Sequence, residues 1–201
     1  MATRRKTYKL RGGDVYDVEE YPDGRYGAEG KVRQKKKKPT PEQMAAVNQA
    51  NRAKICRRLL IEYFDTGDYF VTYTYKVEQR PKDMAAALKD LQKAIRKLRP
   101  KYKKANTPFC WIRNIERGTK GAWHIHLVIK KTSGAADWIE DAWEHGAVYI
   151  TQIKKSRFYD EDFTKLANYI TKNEKTREKR SDGSKGKPRL KEASYGHTRN
   201  M

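Results

Sequence analysis

The sequence contains very little cysteine and no long apolar segment, and each absence excludes a class of protein. Two cysteines in 201 residues, Cys56 and Cys110, suit neither a disulfide framework nor a zinc cluster. No apolar run approaches the roughly 18 residues of a membrane span, and the initial MATRRKTYKLRGG has no signal-peptide character. We therefore expect a protein of a reducing, cytoplasmic compartment without a membrane partner.

Acidic residues are scarce relative to basic ones. The chain has 25 Asp and Glu against 46 Lys and Arg, which gives a formal net charge of +21. Residues 1–40 carry 12 basic and 6 acidic residues, residues 41–173 carry 25 and 15, and residues 174–201 carry 9 and 4. Because the excess extends along the whole chain, it predicts a polyanionic partner, with nucleic acid favoured over a merely solubilising surface.

Composition divides the chain into three parts. Residues 1–39 are polar and basic, with a turn signal at Tyr21–Gly24 and a lysine run at 35–38, and they predict an accessory arm with a short hairpin around that turn. Residues 40–174 hold the periodic apolar patterns of a folded domain. Residues 175–201 are basic and poor in apolar residues, so we expect a mobile segment.

The predicted elements of the central part define the fold class. A helix begins at Pro41, with Thr40 and Gln43 as a capping box, and extends to about Phe64. From residue 69 the order is β-α-β-β-α-β, which predicts an α+β, ferredoxin-like core with an antiparallel sheet. Another helix, bearing Tyr169, follows. The predicted strands cover 69–76, 109–116, 122–130 and 147–153, and the predicted helices cover 81–99, a short segment ending at Gly146, and 160–173.

Two of the four histidines share one face of a predicted strand. His124 and His126 are two residues apart, and side chains at that spacing point the same way. The neighbouring Leu127, Val128 and Ile129 indicate a buried strand, where unpartnered imidazoles are costly. Imidazole binds divalent metals readily, so the pair predicts half of a metal site.

Glu116 is the nearest carboxylate that could complete this site. It shares the histidines' face if it lies opposite Ala122 or His124, but not if it lies opposite Trp123. A three- or five-residue connection, or a bulge, gives the favourable register. Further candidates are Asn114, which has the parity of Glu116, and Glu144 and His145.

The last predicted helix presents a tyrosine and a lysine side by side. Its apolar stripe is formed by Phe163, Leu166, Ala167 and Ile170, and Tyr169 lies on the shoulder of that stripe. Lys172 is three residues further on, so its ammonium and the Tyr169 phenol are neighbours.

These segments together resemble the three ordered motifs of the HUH endonucleases. The closest similarity is to rolling-circle replication initiators of bacterial plasmids and single-stranded DNA phages, and it covers residues 40–200. In that family the second motif is His-hydrophobic-His and the third is Tyr-x-x-Lys on a helix. The matching segments here are Phe70-Val-Thr-Tyr-Thr-Tyr75, His124-Ile-His126 and Tyr169-Ile-Thr-Lys172.

The resemblance implies a metal-dependent enzyme that nicks and rejoins single-stranded DNA. His124, His126 and Glu116 would hold Mg²⁺ or Mn²⁺, Tyr169 would attack the phosphorus, and Lys172 would position the phosphate. The product would be a 5′-phosphotyrosine and a free 3′-hydroxyl at a replication origin, possibly in a hairpin. Tyr159 is the only second tyrosine near the motif, and we expect a single-tyrosine enzyme.

The resemblance also sets the expected partners. The sequence has no G-x-x-x-x-G-K-[ST] motif, so we expect unwinding by a host helicase and extension by a host polymerase. The predicted DNA contacts are Tyr73, Tyr75 and Lys165.

Two alternatives stay open at this point. A transposase or relaxase of the same superfamily would use the same chemistry. A non-catalytic module would instead bind single-stranded nucleic acid by stacking bases on the aromatic residues of the first strand, which are Tyr69, Phe70, Tyr73 and Tyr75.

Overall fold

The computed structural model describes residues 3–22, 38–154, 160–174, 177–179, 185–199 and 201. The strands are β1 (Thr3–Leu10), β2 (Val15–Pro22), β3 (Tyr69–Thr74), β4 (Trp111–Gly118), β5 (Trp123–Ile129), β6 (Val148–Gln152), β7 (Arg177–Lys179), β8 (Lys185–Pro188) and β9 (Leu190–His197). The helices are α1 (Pro41–Tyr63), α2 (Met84–Lys104), α3 (Ala135–Asp141) and α4 (Thr164–Ile170).

A five-stranded antiparallel sheet forms the centre of the fold. Its strand order is β6-β3-β5-β4-β9, and the first four strands with α2 and α3 follow the predicted β-α-β-β-α-β sequence. Because β5 separates β3 from β4 and β3 separates β5 from β6, both helical connections cross over a strand, as in ferredoxin-like folds. The predicted α+β class is confirmed.

The two faces of the sheet carry separate hydrophobic cores. Odd-numbered residues of β3 and β5, such as Val71 and Leu127, pack with α2 and α3. Even-numbered residues such as Val128 pack with α1 and α4, together with buried Cys56. The helices therefore cover one face fully and leave the other face to α1, α4 and the polar side chains described below.

The boundaries of α1 and α2 test the predicted helix signals. The capping box of Thr40 and Gln43 is present at the start of α1. Helix α2 begins later than predicted, after Asp83 as N-cap, and continues through Pro100, which was expected to end it. Buried Tyr102 explains the continuation, because its hydroxyl donates to the Lys130 carbonyl at 2.6 Å and holds the last turn against the sheet.

Helix α4 is shorter than the predicted 160–173. It begins only after Phe163, whose φ of 62° is outside the helical region. The buried carboxylate of Asp160 instead accepts from the backbone N–H groups of Lys165 and Leu166, at 2.9 and 3.0 Å. Tyr159 lies outside the described residues.

Residues 3–22 form a hairpin, although its turn is not the predicted one. The chain reverses at Arg11–Asp14, whereas Tyr21 and Pro22 belong to β2, and Asp23 and Gly24 lie outside the described residues. The Arg11 guanidinium donates to the carbonyls of Ile61 and Phe64, both at 2.6 Å, so the hairpin is fixed to the end of α1. Leu10 joins the core beneath α1 and α4.

An ion-pair cluster between this hairpin and α1 leads to a stability prediction. Asp17 accepts from Arg57 and from Arg58, and its side chain is 12% exposed. We expect Asp17→Asn to lower the free energy of unfolding by about 2 kcal/mol, since two part-buried guanidinium groups lose a charged partner. Thermal denaturation should show a Tm lower by about 6 °C. The control Glu20→Gln, which breaks an exposed pair with Arg5, should cost less than about 1 kcal/mol.

The same cluster has a defined pH dependence. Burial would raise the pKa of Asp17, but the hydrogen bonds and charges of Arg58 and Arg57 outweigh it and lower that pKa. Its stabilising contribution is therefore complete above the unfolded-state pKa of about 3.9 and is lost as the pH falls through the lower folded-state value. Equal acid sensitivity of wild type and Asp17→Asn would contradict this assignment.

The C-terminal segment is partly ordered, contrary to expectation. Strand β9 pairs with β4 along its length and forms an edge of the central sheet. Its apolar positions explain why, since Leu190 is buried and Tyr195 packs against the core beneath α1 and α4. The proposed domain limits at residues 39 and 174 stay a prediction. Among the described residues, no helix is long and apolar enough to cross a membrane.

Candidate metal and phosphotransfer site

Strand register brings the three predicted metal ligands together. Arg117 pairs with Trp123, so a five-residue connection places Glu116 directly opposite His124. One ligand atom from each of Glu116, His124 and His126 lies within 4.8 Å of the others. The register left open by the sequence is therefore the one that places the carboxylate on the histidines' face.

His126 is the most enclosed member of this cluster. It is buried, and its Nε2 lies 3.1 Å from Glu116 Oε1 while its Nδ1 lies 3.1 Å from Thr72 Oγ1. The Phe70 ring stacks on the imidazole, with ring centroids 5.6 Å apart. Contacts on both nitrogens and one ring face fix the orientation of His126.

Glu116 joins the cluster to Lys172. Its Oε2 lies 2.9 Å from Lys172 Nζ, and both side chains are largely buried. Burial would raise the pKa of Glu116, but the hydrogen bond and charge of His126 and the charge of Lys172 outweigh it and lower that pKa. The carboxylate is thus held in its ionised form, which is the form that binds a metal.

His124 is held neutral by its surroundings. Burial lowers its pKa, and the positive charges of His126, Lys172 and Arg80 act in the same direction, against the opposing effect of Glu116. A neutral imidazole is the metal-binding form of histidine. The electrostatics of the site therefore favour a set of one carboxylate and two neutral imidazoles.

Tyr169 extends from α4 to the edge of this cluster. Its hydroxyl lies 3.4 Å from His126 Nε2, and its ring meets those of His126 and Phe70 edge-on. Lys172 Nζ lies 3.8 Å from the centroid of the same ring. Because the side chain is still 44% exposed, the phenol is both oriented by the site and accessible from outside.

The predicted contacts Tyr73 and Tyr75 are contradicted as DNA-binding residues. Both side chains are buried in the core beneath α2 and α3, on the face opposite to His126. Strand alternation is the reason, since odd positions of β3 turn away from the site. The Tyr73 hydroxyl donates to the Ile139 carbonyl and that of Tyr75 to Asp90.

Other candidates divide between the site and more distant positions. Lys165 lines a cavity of about 840 Å³ together with Phe70 and Tyr169, so its role as a DNA contact stays a prediction. Asn114 is buried on the site face and donates to the Lys172 carbonyl at 3.2 Å. Glu144 and His145 lie instead near Lys97 and Asp90, apart from the cluster.

The structure also shows an aromatic residue that was not predicted. Tyr149 of β6 pairs with Thr72, which pairs with His126, so the three side chains share a row on the site face. Two strand spacings put Tyr149 about 10 Å from His126. It is 60% exposed. The alternation of Val148 and Ile150 with Tyr149 was a usable signal, but the pairing of β6 with β3 was needed to interpret it.

Comparison with known proteins identifies the family. Residues 68–174 match the family of replication-associated proteins of the ORF2 and gene 2 protein type, and this span holds β3 to α4 with every residue of the cluster. Because it covers more than half of the chain, the protein belongs to that family. Membership assigns it to DNA replication and implies interaction with DNA. Neither curated proteins nor solved structures gave a match.

Proposed function

We propose that this protein is an HUH-type endonuclease that nicks and rejoins single-stranded DNA to initiate rolling-circle replication. The observation that carries the proposal is the position of the Tyr169 hydroxyl, 3.4 Å from His126 Nε2 within a Glu-His-His cluster. An exposed phenol beside a possible metal site and an ammonium group has the components that a tyrosine nucleophile needs.

The residues present fit a divalent metal. Glu116 offers an ionised oxygen ligand, while His124 and His126 offer imidazole nitrogens on the same face. This mixed set suits Mn²⁺, and Mg²⁺ with water as additional ligand. When bound, the metal would supply Lewis-acid stabilisation of charge on the phosphate oxygens.

The nicking step then follows from the protein's own side chains. The Tyr169 oxygen forms a bond to phosphorus and its proton leaves to solvent, while the bond from phosphorus to the 3′-oxygen breaks. That oxygen takes up a proton and becomes a 3′-hydroxyl, and the 5′-phosphate stays on the tyrosine. The Lys172 ammonium offsets negative charge beside the phenol. Reversal of the same step rejoins the strand.

The products connect this chemistry with replication. A free 3′-hydroxyl is what a host polymerase extends, and a host helicase would unwind the duplex ahead of it. The covalent bond keeps the energy of the cleaved phosphodiester, so rejoining after one round needs no other energy source. A single-stranded origin, possibly in a hairpin, is the corresponding substrate.

End-labelled DNA tests the proposed chemistry. Single-stranded origin DNA is incubated with the protein and Mn²⁺ and then resolved on a denaturing gel. A 3′-end label should move with the protein, whereas a 5′-end label should stay on a free fragment that a polymerase extends. No adduct with either label, on DNA from the chain's own replicon, would refute the proposal. An adduct with the 5′ label alone would reverse the polarity.

The structure disfavours a purely base-stacking module. Two of the four aromatic residues on which that alternative depended, Tyr73 and Tyr75, are buried in the core. Phe70 does lie on the site face, but it packs against His126 and Tyr169. A transposase or relaxase would share the proposed chemistry and differ only in its DNA target.

Tyr149 is the residue on the site face that is best placed to stack a base. We expect Tyr149→Ala to weaken binding of single-stranded DNA about 10-fold, because stacking on an aromatic ring contributes about 1–3 kcal/mol per base. Tyr149→Phe should retain the affinity. A suitable control is Tyr16→Ala on the N-terminal hairpin, where the side chain is similarly exposed. Equal affinity of Tyr149→Ala and wild type, measured by fluorescence anisotropy, would exclude this contact.

A further inference from the structure

Helix α2 carries a dense positive charge on the side of the sheet that faces away from Tyr169. Its 21 residues include eight Lys and Arg and a single acid, Asp90, so their net charge is 8 − 1 = +7. That is one third of the +21 of the whole chain. The catalytic site lies on the other face of the sheet, so the proposed nicking reaction makes no use of this charge.

The exposed basic residues of α2 form a straight row. Lys89, Arg96 and Lys103 are seven residues apart, which places them within about 40° of one another around the helix and about 10 Å apart along it. All three are exposed. The opposite side of the helix is buried in the core through residues such as Leu91 and Leu98. The row is therefore about 21 Å long and is held on a rigid element.

Local acidic residues neutralise the flank of this row but not the row itself. Lys93 pairs with Asp90 and Lys101 with Asp141, both at 3.4 Å, and Lys97 pairs with Glu144. Within the described part of the chain, Lys89, Arg96 and Lys103 form no ion pair. Their charge is available to an external anion.

We infer that this row, Lys89-Arg96-Lys103, binds the phosphate backbone of duplex DNA. Its length matches about six phosphate spacings of 3.4 Å along one strand. Single-stranded DNA is a poorer fit, because sites for single strands also present aromatic rings for base stacking. The exposed side chains of α2 are those of Lys, Arg, Gln, Ala and Pro, and the one aromatic residue of the helix, Tyr102, is buried.

The location of the row gives this contact a role. The sheet and the helix, itself about 10–12 Å thick, separate it from Tyr169, so one short strand in the site does not reach it. Duplex DNA flanking a single-stranded target does reach it. This role rests on the proposed nicking function, whereas the duplex contact itself does not.

The test compares two triple variants of equal charge. Lys89→Gln, Arg96→Gln and Lys103→Gln remove the row, and Lys9→Gln, Lys131→Gln and Lys191→Gln remove three exposed lysines from separate elements. Both lower the net charge from +21 to +18. Affinity is measured over a range of salt concentrations for a duplex of about 20 base pairs and for a single strand of about 10 nucleotides. Divalent metal is omitted so that no strand is cut.

For the row variant, the slope of log affinity against log salt on duplex should become shallower by up to about 2.7, because each phosphate contact contributes about 0.9. The scattered control should change it by less than about 1. Short single strands should bind the row variant and wild type equally.

Two results would overturn the inference. An equal loss in both triple variants would mean that only overall charge matters. A loss confined to the single strand would mean that the row binds that strand instead. Circular dichroism verifies that both variants fold, and neither outcome depends on whether the protein nicks DNA.

Discussion

Tyr169→Phe is expected to eliminate strand cleavage and the covalent adduct while leaving the fold and the affinity for DNA intact. Only the hydroxyl is removed, and loss of the nucleophile in a covalent mechanism should lower the rate by on the order of 10⁴-fold or more. The ring is retained, so its contacts with Phe70 and His126 and its position beneath Lys172 persist. A gel-based cleavage assay and a binding assay on the same DNA measure the two properties separately.

Tyr159→Phe is the matched control for this variant. Tyr159 is the nearest second tyrosine in the sequence, and a single-tyrosine enzyme should keep full cleavage when it is replaced. Persistence of the adduct in Tyr169→Phe, or its loss in Tyr159→Phe alone, would assign the nucleophile to the wrong residue. Loss in both variants would indicate a two-tyrosine enzyme.

Strand periodicity made the metal cluster predictable. The spacing of His124 and His126 settles their common face, because side chains on a strand alternate whatever the rest of the fold does. Glu116 was different, since its face depended on whether the connection to β5 held an odd or an even number of residues. The turn at Gly118–Gly121, with Gly121 at a φ of 86°, fixes that number.

The same periodicity was not applied correctly to the aromatic residues of β3. Tyr73 and Tyr75 have the parity of Val71 and so belong to the apolar face, whereas Phe70 and Thr72 face the site. An aromatic residue satisfies either a core or a stacking role, so its type alone does not decide between them. Pairing between strands distant in sequence does, as for Tyr149, and that pairing is a property of the tertiary structure.

The ordered outer segments show a second limit of local patterns. Strand β9 is rich in polar residues, and its order comes from pairing with β4 and not from its own composition. The N-terminal hairpin likewise depends on Arg11 and on the ion pairs of Asp17 with α1. Contacts of this kind join residues distant along the chain, such as Asp17 with Arg57, so the local pattern of either segment alone does not reveal them.

Loss of any one ligand of the Glu116-His124-His126 cluster is expected to abolish metal-dependent nicking. We expect His124→Ala, His126→Ala and Glu116→Gln each to weaken Mn²⁺ binding by about 100-fold or more, since even the loss of a group that only orients a ligand costs about 10–100-fold. Isothermal titration calorimetry with Mn²⁺ measures this without reference to cleavage. Chelation of the wild-type protein should stop cleavage, and added Mn²⁺ should restore it.

His145→Ala provides the control, because this histidine packs against Tyr75 and Trp143 on the other face of the sheet. Its Mn²⁺ affinity and cleavage rate should equal those of wild type. The Glu116→Gln variant separates two roles, since glutamine keeps the shape but lacks the charge that pairs with Lys172. If nicking survives chelation, or if calorimetry shows the same Mn²⁺ affinity with and without the His126 imidazole, then this cluster is a buried hydrogen-bond network. Tyr169 would then act without a metal held by these three residues.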